Sequence, residues 1–259
     1  MFFQIMHTEW LKVKKYRTFW VLLGLFVVFA ISINYFTILL MKMVKEKSNN
    51  LFSPLLYDYP QVWQSVAFTF SYISLLLGLL VIILISNEYT FRTHRQNVID
   101  GWSRQTFMLS KLFWVVLLSI GATVLCLITG IIFAAIFGER GFSTENIQFL
   151  GVYFLQCLMS LTLAMLIAVL VKRSGLSIVL YLAYLFLENI AQLILTKNDI
   201  RLGRLLPLEA ADRLLGYPFV EKLMPDTQAY SPWLYVIMLV IYILAVNYFV
   251  GRRLLRTDF

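Results

Sequence analysis

Side chains that commonly carry out enzymatic chemistry are few in this sequence and lie far apart. The two histidines, His7 and His94, have no partner at the spacing of a zinc-binding H-E-x-x-H or H-x-x-E-H helix, and no G-x-S-x-G nucleophile turn occurs. Metal catalysis and serine hydrolysis therefore have no support in the residues. We expect the chain to hold no metal and no catalytic site.

Glu188 is the one acidic residue placed deep inside an apolar run. It lies about 12 residues, or roughly 18 Å, along a helix expected to begin at Leu176. An ionised carboxylate in hydrocarbon is costly, so Glu188 should face the bundle or a wet cavity, be protonated, or pair with a neighbour such as Gln192. We take Glu188, Gln192, Ser71 and Ser74 as candidate pathway or gate residues. The alternative is structural: an interhelical hydrogen bond or an interfacial position for Glu188, and helix contacts for the two serines.

The most informative polar segment spans residues 87–111. Uncharged runs of more than 20 residues flank it, 60–86 and 112–138, and each is long enough to cross a bilayer. Basic residues outnumber acids in this segment, which favours the cytoplasmic side because short Lys/Arg-rich loops resist translocation. The basic residues are Arg92, Arg95, Arg104 and Lys111, and the acids are Glu88 and Asp100.

This segment has the pattern of a short amphipathic helix. Val98, Ile99 and Trp102 have the spacing of an apolar stripe, Gly101 belongs to a turn, and Ser103 can cap the helix that follows. Such a helix on the cytoplasmic face suits docking to a partner protein. The alternative is a helix that lies on the bilayer, with Trp102 at the level of the headgroups.

The composition indicates a membrane protein. The chain has 259 residues, of which 60% are hydrophobic and 14% charged, and its mean hydropathy is +0.79; soluble domains carry about 25% charge. A net charge of +8 could indicate nucleic acid, but 13 of the 22 basic residues and 4 of the 14 acids fall in the segments predicted to be cytoplasmic. We therefore expect a lipid bilayer as partner and no nucleic acid. Cys126 and Cys157 lie within apolar runs and should be small packing residues.

The apolar runs predict one all-α polytopic membrane domain with six transmembrane helices and both termini in the cytoplasm. Residues 1–17 read as an N-terminal interfacial helix, and residues 197–231 as a structured external segment with a short helix between Pro207 and Gly216. A basic turn, residues 172–175, should separate spans four and five, with serine and glycine helping to end one helix and start the next. The predicted spans are 19–40, 60–86, 112–138, 146–171, 176–196 and 232–250.

These features resemble the membrane subunits of the ABC transporter type-2 permease family. The similarity rests on the interfacial helix, six spans, a structured segment before span six, and a cytoplasmic loop with Glu88, Thr93, Ser103-Arg104 and Lys111. The family often has glycine before the threonine and proline two residues before the serine, where this chain has Arg92 and Gly101.

The resemblance implies a cytoplasmic coupling helix between spans two and three that docks onto an ATPase. The implied coupling residues are Glu88, Arg92, Thr93, Arg95, Val98, Ile99, Gly101, Trp102, Ser103 and Arg104. It also implies a homodimer or heterodimer of permease subunits in the bacterial inner membrane. No G-x-x-x-x-G-K-[ST] loop occurs, so ATP and magnesium would be bound by a separate ATPase subunit.

The leading hypothesis is the permease subunit of an ATP-driven exporter of a hydrophobic or amphipathic substrate. In it, spans two and five of the dimer flank the central path, and residues 87–101 transmit the closure of the ATPase. A second hypothesis keeps the fold but assigns it to a non-transporting complex for sensing, resistance or mechanical work. An integral membrane enzyme is a distant third.

Overall fold

The computed structural model describes residues 2–47, 55–91, 93, 103–198, 200–216 and 230–256. In this part of the chain the regular structure is helical, and no strand occurs. Six helical stretches are long and apolar enough to cross a membrane, which confirms the all-α fold with six candidate spans. They are Arg17–Met43, Val62–Thr90, Gln105–Phe137, Gln148–Val171, Ser174–Lys197 and Pro232–Leu254.

The helices are numbered along the chain. Helix α1 precedes the spans, α3 and α4 together form span two, and α8 lies between spans five and six. Their bounds are α1 Phe2–Lys14, α2 Arg17–Lys47, α3 Val62–Ile73, α4 Leu75–Thr90, α5 Arg104–Phe137, α6 Gln148–Val171, α7 Ser174–Lys197, α8 Pro207–Leu215 and α9 Pro232–Arg256. Two short 3-10 turns, Leu55–Tyr57 and Arg201–Leu205, complete the described elements. The polar segment 87–111 is thus helical at both ends.

Local sequence signals explain several helix ends. The Ser103 hydroxyl accepts a hydrogen bond from the Thr106 amide at 3.1 Å, which confirms the predicted cap of α5. Pro207 opens α8 and Gly216 ends it with a φ of 66°, also as predicted. The turn after α6 differs in detail: Lys172 takes the left-handed conformation, with a φ of 61°. Gly175 cannot end α6 because it already lies within α7.

Helix α6 lies at the centre of the bundle. In its most apolar stretch 61% of the residues are buried, against 11% in α7, which lies at the periphery. Cys157 of α6 and Cys126 of α5 are free and fully buried, which confirms them as packing residues. The helices that pack against α6 are α3, α4, α5, α7, α8 and α9.

The basic residues identify one end of the bundle. The Lys172 ammonium lies 5.3 Å from the centre of the Tyr89 ring, and Tyr89 adjoins Glu88, which pairs with Lys111. Gly251, next to Arg252, packs beside Met108 of the same region of α5. We call the end with Lys111, Lys172 and Arg252 the basic end. Helix α8 lies at the opposite end.

Candidate functional site

Helix α1 packs along the start of α5 at the basic end. Its buried residues Glu9 and Val13 are one turn apart and therefore share one face. The ring of Trp10 stacks on that of Trp114 of α5, with centroids 6.4 Å apart. The structure thus places an acid, Glu9, on the face of α1 that meets the bundle.

Four charged side chains meet where α1, α4 and α5 come together. Lys111 of α5 places its ammonium 2.6 Å from Oε1 of Glu88 and 3.1 Å from Oε2 of Glu9. Lys12 places its ammonium 2.7 Å from Oε1 of Glu9 and 3.2 Å from Oε1 of Glu88. The indole nitrogen of Trp114 donates a further hydrogen bond to Glu9. We call Glu9, Lys12, Glu88 and Lys111 the ion cluster.

The ion cluster is electrically neutral and largely withdrawn from solvent. Glu9, Lys111 and Glu88 are 2%, 4% and 7% exposed. Burial alone raises the pKa of Glu9, but the charges of Lys111 and Lys12 outweigh it, so that the pKa lies below its ordinary value. Burial likewise lowers the pKa of Lys12, and the carboxylates of Glu88 and Glu9 raise it beyond its ordinary value. Each charge is therefore stabilised by its neighbours.

A cavity of about 170 Å³ adjoins the ion cluster between α1 and α4. Apolar side chains such as Val13, Leu84 and Ile85 form most of its wall. This volume is well below the 300 to 1,000 Å³ typical of small-molecule sites. In the described residues, moreover, no group of three or more His, Cys, Asp or Glu side chains could hold a metal ion. The arrangement is that of a joint between helices.

The structure describes four of the ten predicted coupling residues. Glu88 lies in the last turn of α4 and belongs to the ion cluster, and the Thr93 hydroxyl donates to the Glu88 carbonyl at 3.5 Å. Ser103 caps α5, whose first residue is Arg104. The remaining coupling residues lie outside the described residues: Arg92, Arg95, Val98, Ile99, Gly101 and Trp102. Sequence reasoning did not identify Glu9 and Lys12, although Glu9 is the one acid in an otherwise basic N-terminal segment.

Glu188 holds the start of α8 at the opposite end. Its Oε1 accepts hydrogen bonds from the backbone amides of Leu208 and Glu209, at 2.6 and 3.1 Å. These amides have no partner within their own helix, and a carboxylate there is favoured by the helix dipole. Glu188 thus makes the interhelical bond given above as the structural alternative. Gln192 bonds instead to Thr196 one turn on, at 3.4 Å.

Three other spans also hold the segment that contains α8. Gln64 of span two donates to the Leu215 carbonyl at 2.7 Å, and Tyr242 of span six donates to the Leu205 carbonyl at 2.9 Å. Gln156 of span four donates to the Asp212 carboxylate at 2.5 Å. We call Gln64, Gln156, Glu188 and Tyr242 the α8 anchor.

Asp212 of α8 has a strongly raised pKa. Burial raises its pKa to about 7, the nearby charges of Glu209 and Glu188 act in the same direction, and the Gln156 hydrogen bond opposes them. Asp212 therefore changes its protonation near neutral pH. The carboxylate of Glu209 also accepts a 2.6 Å hydrogen bond from Arg213 one turn on.

The two candidate serines bond to their own helix. Ser71 donates to the Phe68 carbonyl at 2.7 Å, and Ser74 donates to the Ser71 carbonyl at 2.6 Å. Ser74 stands between α3 and α4, so that span two is interrupted there. A side chain that bonds the carbonyl of the preceding turn is one cause of such an interruption.

One comparison with known proteins identifies a family for this chain. The family model described as ABC-2 family transporter protein matches residues 5–188, a stretch that begins in α1 and ends at Glu188. It contains every member of the ion cluster. No curated protein and no solved structure matches the chain. Since the family match covers well over half of the 259 residues, the chain belongs to the ABC-2 family of transporter membrane proteins.

Proposed function

We propose that the chain is the membrane-spanning permease subunit of an ABC exporter of a hydrophobic or amphipathic substrate. A separate ATPase subunit would bind ATP and magnesium, and a second permease subunit, identical or different, would complete the transporter. The observation that carries this proposal is the ion cluster. It joins both helices that border residues 92–102, the segment to which the ATPase would dock.

The geometry of the ion cluster suits the transmission of force. Glu88 lies about one turn before the segment, Lys111 lies about two turns after Ser103, and their side chains pair at 2.6 Å. A displacement of the segment is therefore carried into α4 and α5 together. Glu9 and Lys12 extend the same connection to α1.

The charge distribution supports an orientation in the bacterial inner membrane with the basic end and both termini in the cytoplasm. Helix α1 fits the inner leaflet in this orientation. Its bundle face buries Glu9 and Val13, whereas Trp10 and Leu11 are 41% and 53% exposed. An exposed apolar face beside a basic one is typical of a helix at a membrane interface.

The coupling step is tested by removing one residue of the predicted apolar stripe, Trp102. If Trp102 is seated in a cleft of the ATPase, its replacement should cost about 1.5 to 3 kcal/mol of docking free energy, because the burial of a large apolar side chain is lost. Arg95→Ala should cost about 0 to 1 kcal/mol, the range for an exposed ion pair. Trp102→Ala should therefore weaken co-purification of the ATPase more than Arg95→Ala does, at matched expression.

Both variants should insert and dimerise normally, since neither residue lies within a span. Full retention of the ATPase by Trp102→Ala would show that Trp102 is a headgroup anchor and that residues 92–102 do not dock through it. Transport itself is tested in liposomes that contain the complete complex. A compound that stimulates ATP hydrolysis and also accumulates across the bilayer supports export, whereas ATP hydrolysis without any such compound favours the non-transporting complex.

A further inference from the structure

A groove runs between spans four and six at the basic end. It is an open groove of about 460 Å³, within the size range of small-molecule sites. Leu166 and Leu170 of α6 form one wall, and Phe249, Arg252 and Arg253 of α9 form the other. The leucines are four residues apart, and the α9 residues follow the i, i+3, i+4 spacing, so each wall is one helix face.

The walls of the groove are apolar along its length and basic at its mouth. Leu170 and Phe249 are 48% and 57% exposed, and Arg252 is also exposed. Arg252 lies about 20 residues, or roughly 30 Å, after Pro232 at the far end of α9, which is the thickness of the hydrocarbon core. If Pro232 lies at one surface of the hydrocarbon core, the Arg252 guanidinium therefore reaches the headgroups on the other side. The described lining contains two arginines and no carboxylate, and Arg253 also interacts with another group of the chain.

We propose that this groove is a binding site for one anionic phospholipid from the leaflet at the basic end. Arg252 and Arg253 would bind the headgroup phosphate, and an acyl chain would lie along Leu166, Leu170 and Phe249. Guanidinium groups bind phosphate with two parallel hydrogen bonds, and basic pockets between transmembrane helices select anionic headgroups. Phosphatidylglycerol and phosphatidylcholine each carry one negative phosphate, but the choline ammonium makes phosphatidylcholine neutral overall. The net negative charge of phosphatidylglycerol gives the expected selectivity. The site needs neither the ATPase nor transport.

The proposal is tested by native mass spectrometry of the full chain in detergent. The probes are phosphatidylglycerol and phosphatidylcholine with the same acyl chains. We expect the wild type to retain one phosphatidylglycerol with at least about a tenfold preference, and the double variant R252Q/R253Q to lose that preference. Arg256 remains in the double variant, so this end of α9 keeps a basic residue. The matched control is Arg201→Gln, an exposed arginine at the opposite end, which should bind as the wild type does.

A second variant keeps both arginines and fills the groove. Leu170→Trp should reduce phosphatidylglycerol retention by about tenfold, whereas Leu187→Trp, at an exposed leucine of α7, should leave it unchanged. If R252Q/R253Q retains the lipid, or if phosphatidylcholine binds equally well, the arginines merely anchor α9 in the membrane and the proposal is wrong. If Leu170→Trp binds as the wild type does, the arginines attract lipid only as surface charge, and no groove site exists.

Discussion

The ion cluster and the α8 anchor join helices at opposite ends of the bundle by different physical means. At the basic end, four full charges share their contacts, and Lys111 touches both carboxylates. At the opposite end, two amides, one phenol and one carboxylate each bond a different group of the α8 segment. Removing one charge leaves an opposite charge buried, whereas removing one anchor bond leaves the other three intact. One substitution in the ion cluster should therefore cost most of the stability that the cluster provides. One substitution in the α8 anchor should cost only a part.

The largest effect is expected for Lys111→Met. This change leaves Glu9 and Glu88 buried with Lys12 as the remaining base of the ion cluster, and the loss of one partner of a buried ion pair costs about 3 to 5 kcal/mol. The thermal or denaturant midpoint of the purified protein in detergent should fall accordingly. Lys12→Met is the matched control: its side chain is 29% exposed, against 4% for Lys111, so the loss should be clearly smaller.

The double variant K111M/E88Q distinguishes charge from packing at this joint. Lys111→Met leaves two acids and one base in the cluster. Neutralising Glu88 restores the charge balance with Lys12, so it should restore part of the stability that Lys111→Met loses. Equal stability of Lys111→Met and the wild type would contradict the mutual dependence of the charges in the ion cluster. So would an additive loss in the double variant.

A smaller effect is expected at the opposite end for Glu188→Gln. The variant keeps an acceptor oxygen for the amides of Leu208 and Glu209 but removes the charge that the helix dipole favours, and Glu188→Ala removes both. We expect losses up to about 1 to 2 kcal/mol, the range for a helix cap, with alanine the worse of the two. Hydrogen–deuterium exchange of residues 207–215 should rise while exchange of α1 stays unchanged. Faster exchange of α1 would mean that the two joints are coupled.

The smallest effect concerns Asp212. It distinguishes the two ends of the bundle by how their contributions to stability depend on pH. Its folded-state pKa is raised from 3.8 to about 7, so the folded chain holds a proton that the unfolded chain has lost, and stability falls as the pH rises toward and past 7. Acidification from pH 8 to 6 should therefore raise the melting temperature. Asp212→Asn, which keeps the acceptor for Gln156, should remove this dependence.

The ion cluster should respond to acid in the opposite direction. Glu9 has a folded-state pKa below its ordinary 4.5, so its contribution is complete above that value and is lost as the pH falls below it. The wild type should thus gain stability between pH 8 and 6 and lose it below about 4.5. A melting temperature in Asp212→Asn that still rises between pH 8 and 6 would assign that gain to another group.

The sequence predicts features that depend on short spacing. Runs of more than 20 uncharged residues require spans, Ser103 caps a helix through its own neighbour, and Pro207 and Gly216 mark the two ends of α8. The ion cluster is different, because Lys111 and Glu9 are 102 residues apart and meet only when α1 folds back against α5. Glu188 finds its partner 20 residues later, across a turn whose path no local signal specifies. A single sequence gives no measure of such pairings.

We infer that span two could tilt at Ser74, where one residue with right-handed helical φ and ψ angles separates α3 from α4. Helix α3 carries Gln64 of the α8 anchor, and α4, about 24 Å long, carries Glu88 of the ion cluster. The Ser74 carbonyl accepts from both Leu77 and Gly78, so the hydrogen-bond ladder at this point can shift between two registers. A tilt of α4 by about 10° about Ser74 would move Glu88 by about 4 Å and leave Gln64 where it is. In such a tilt, α3 and α4 would move as two separate helices.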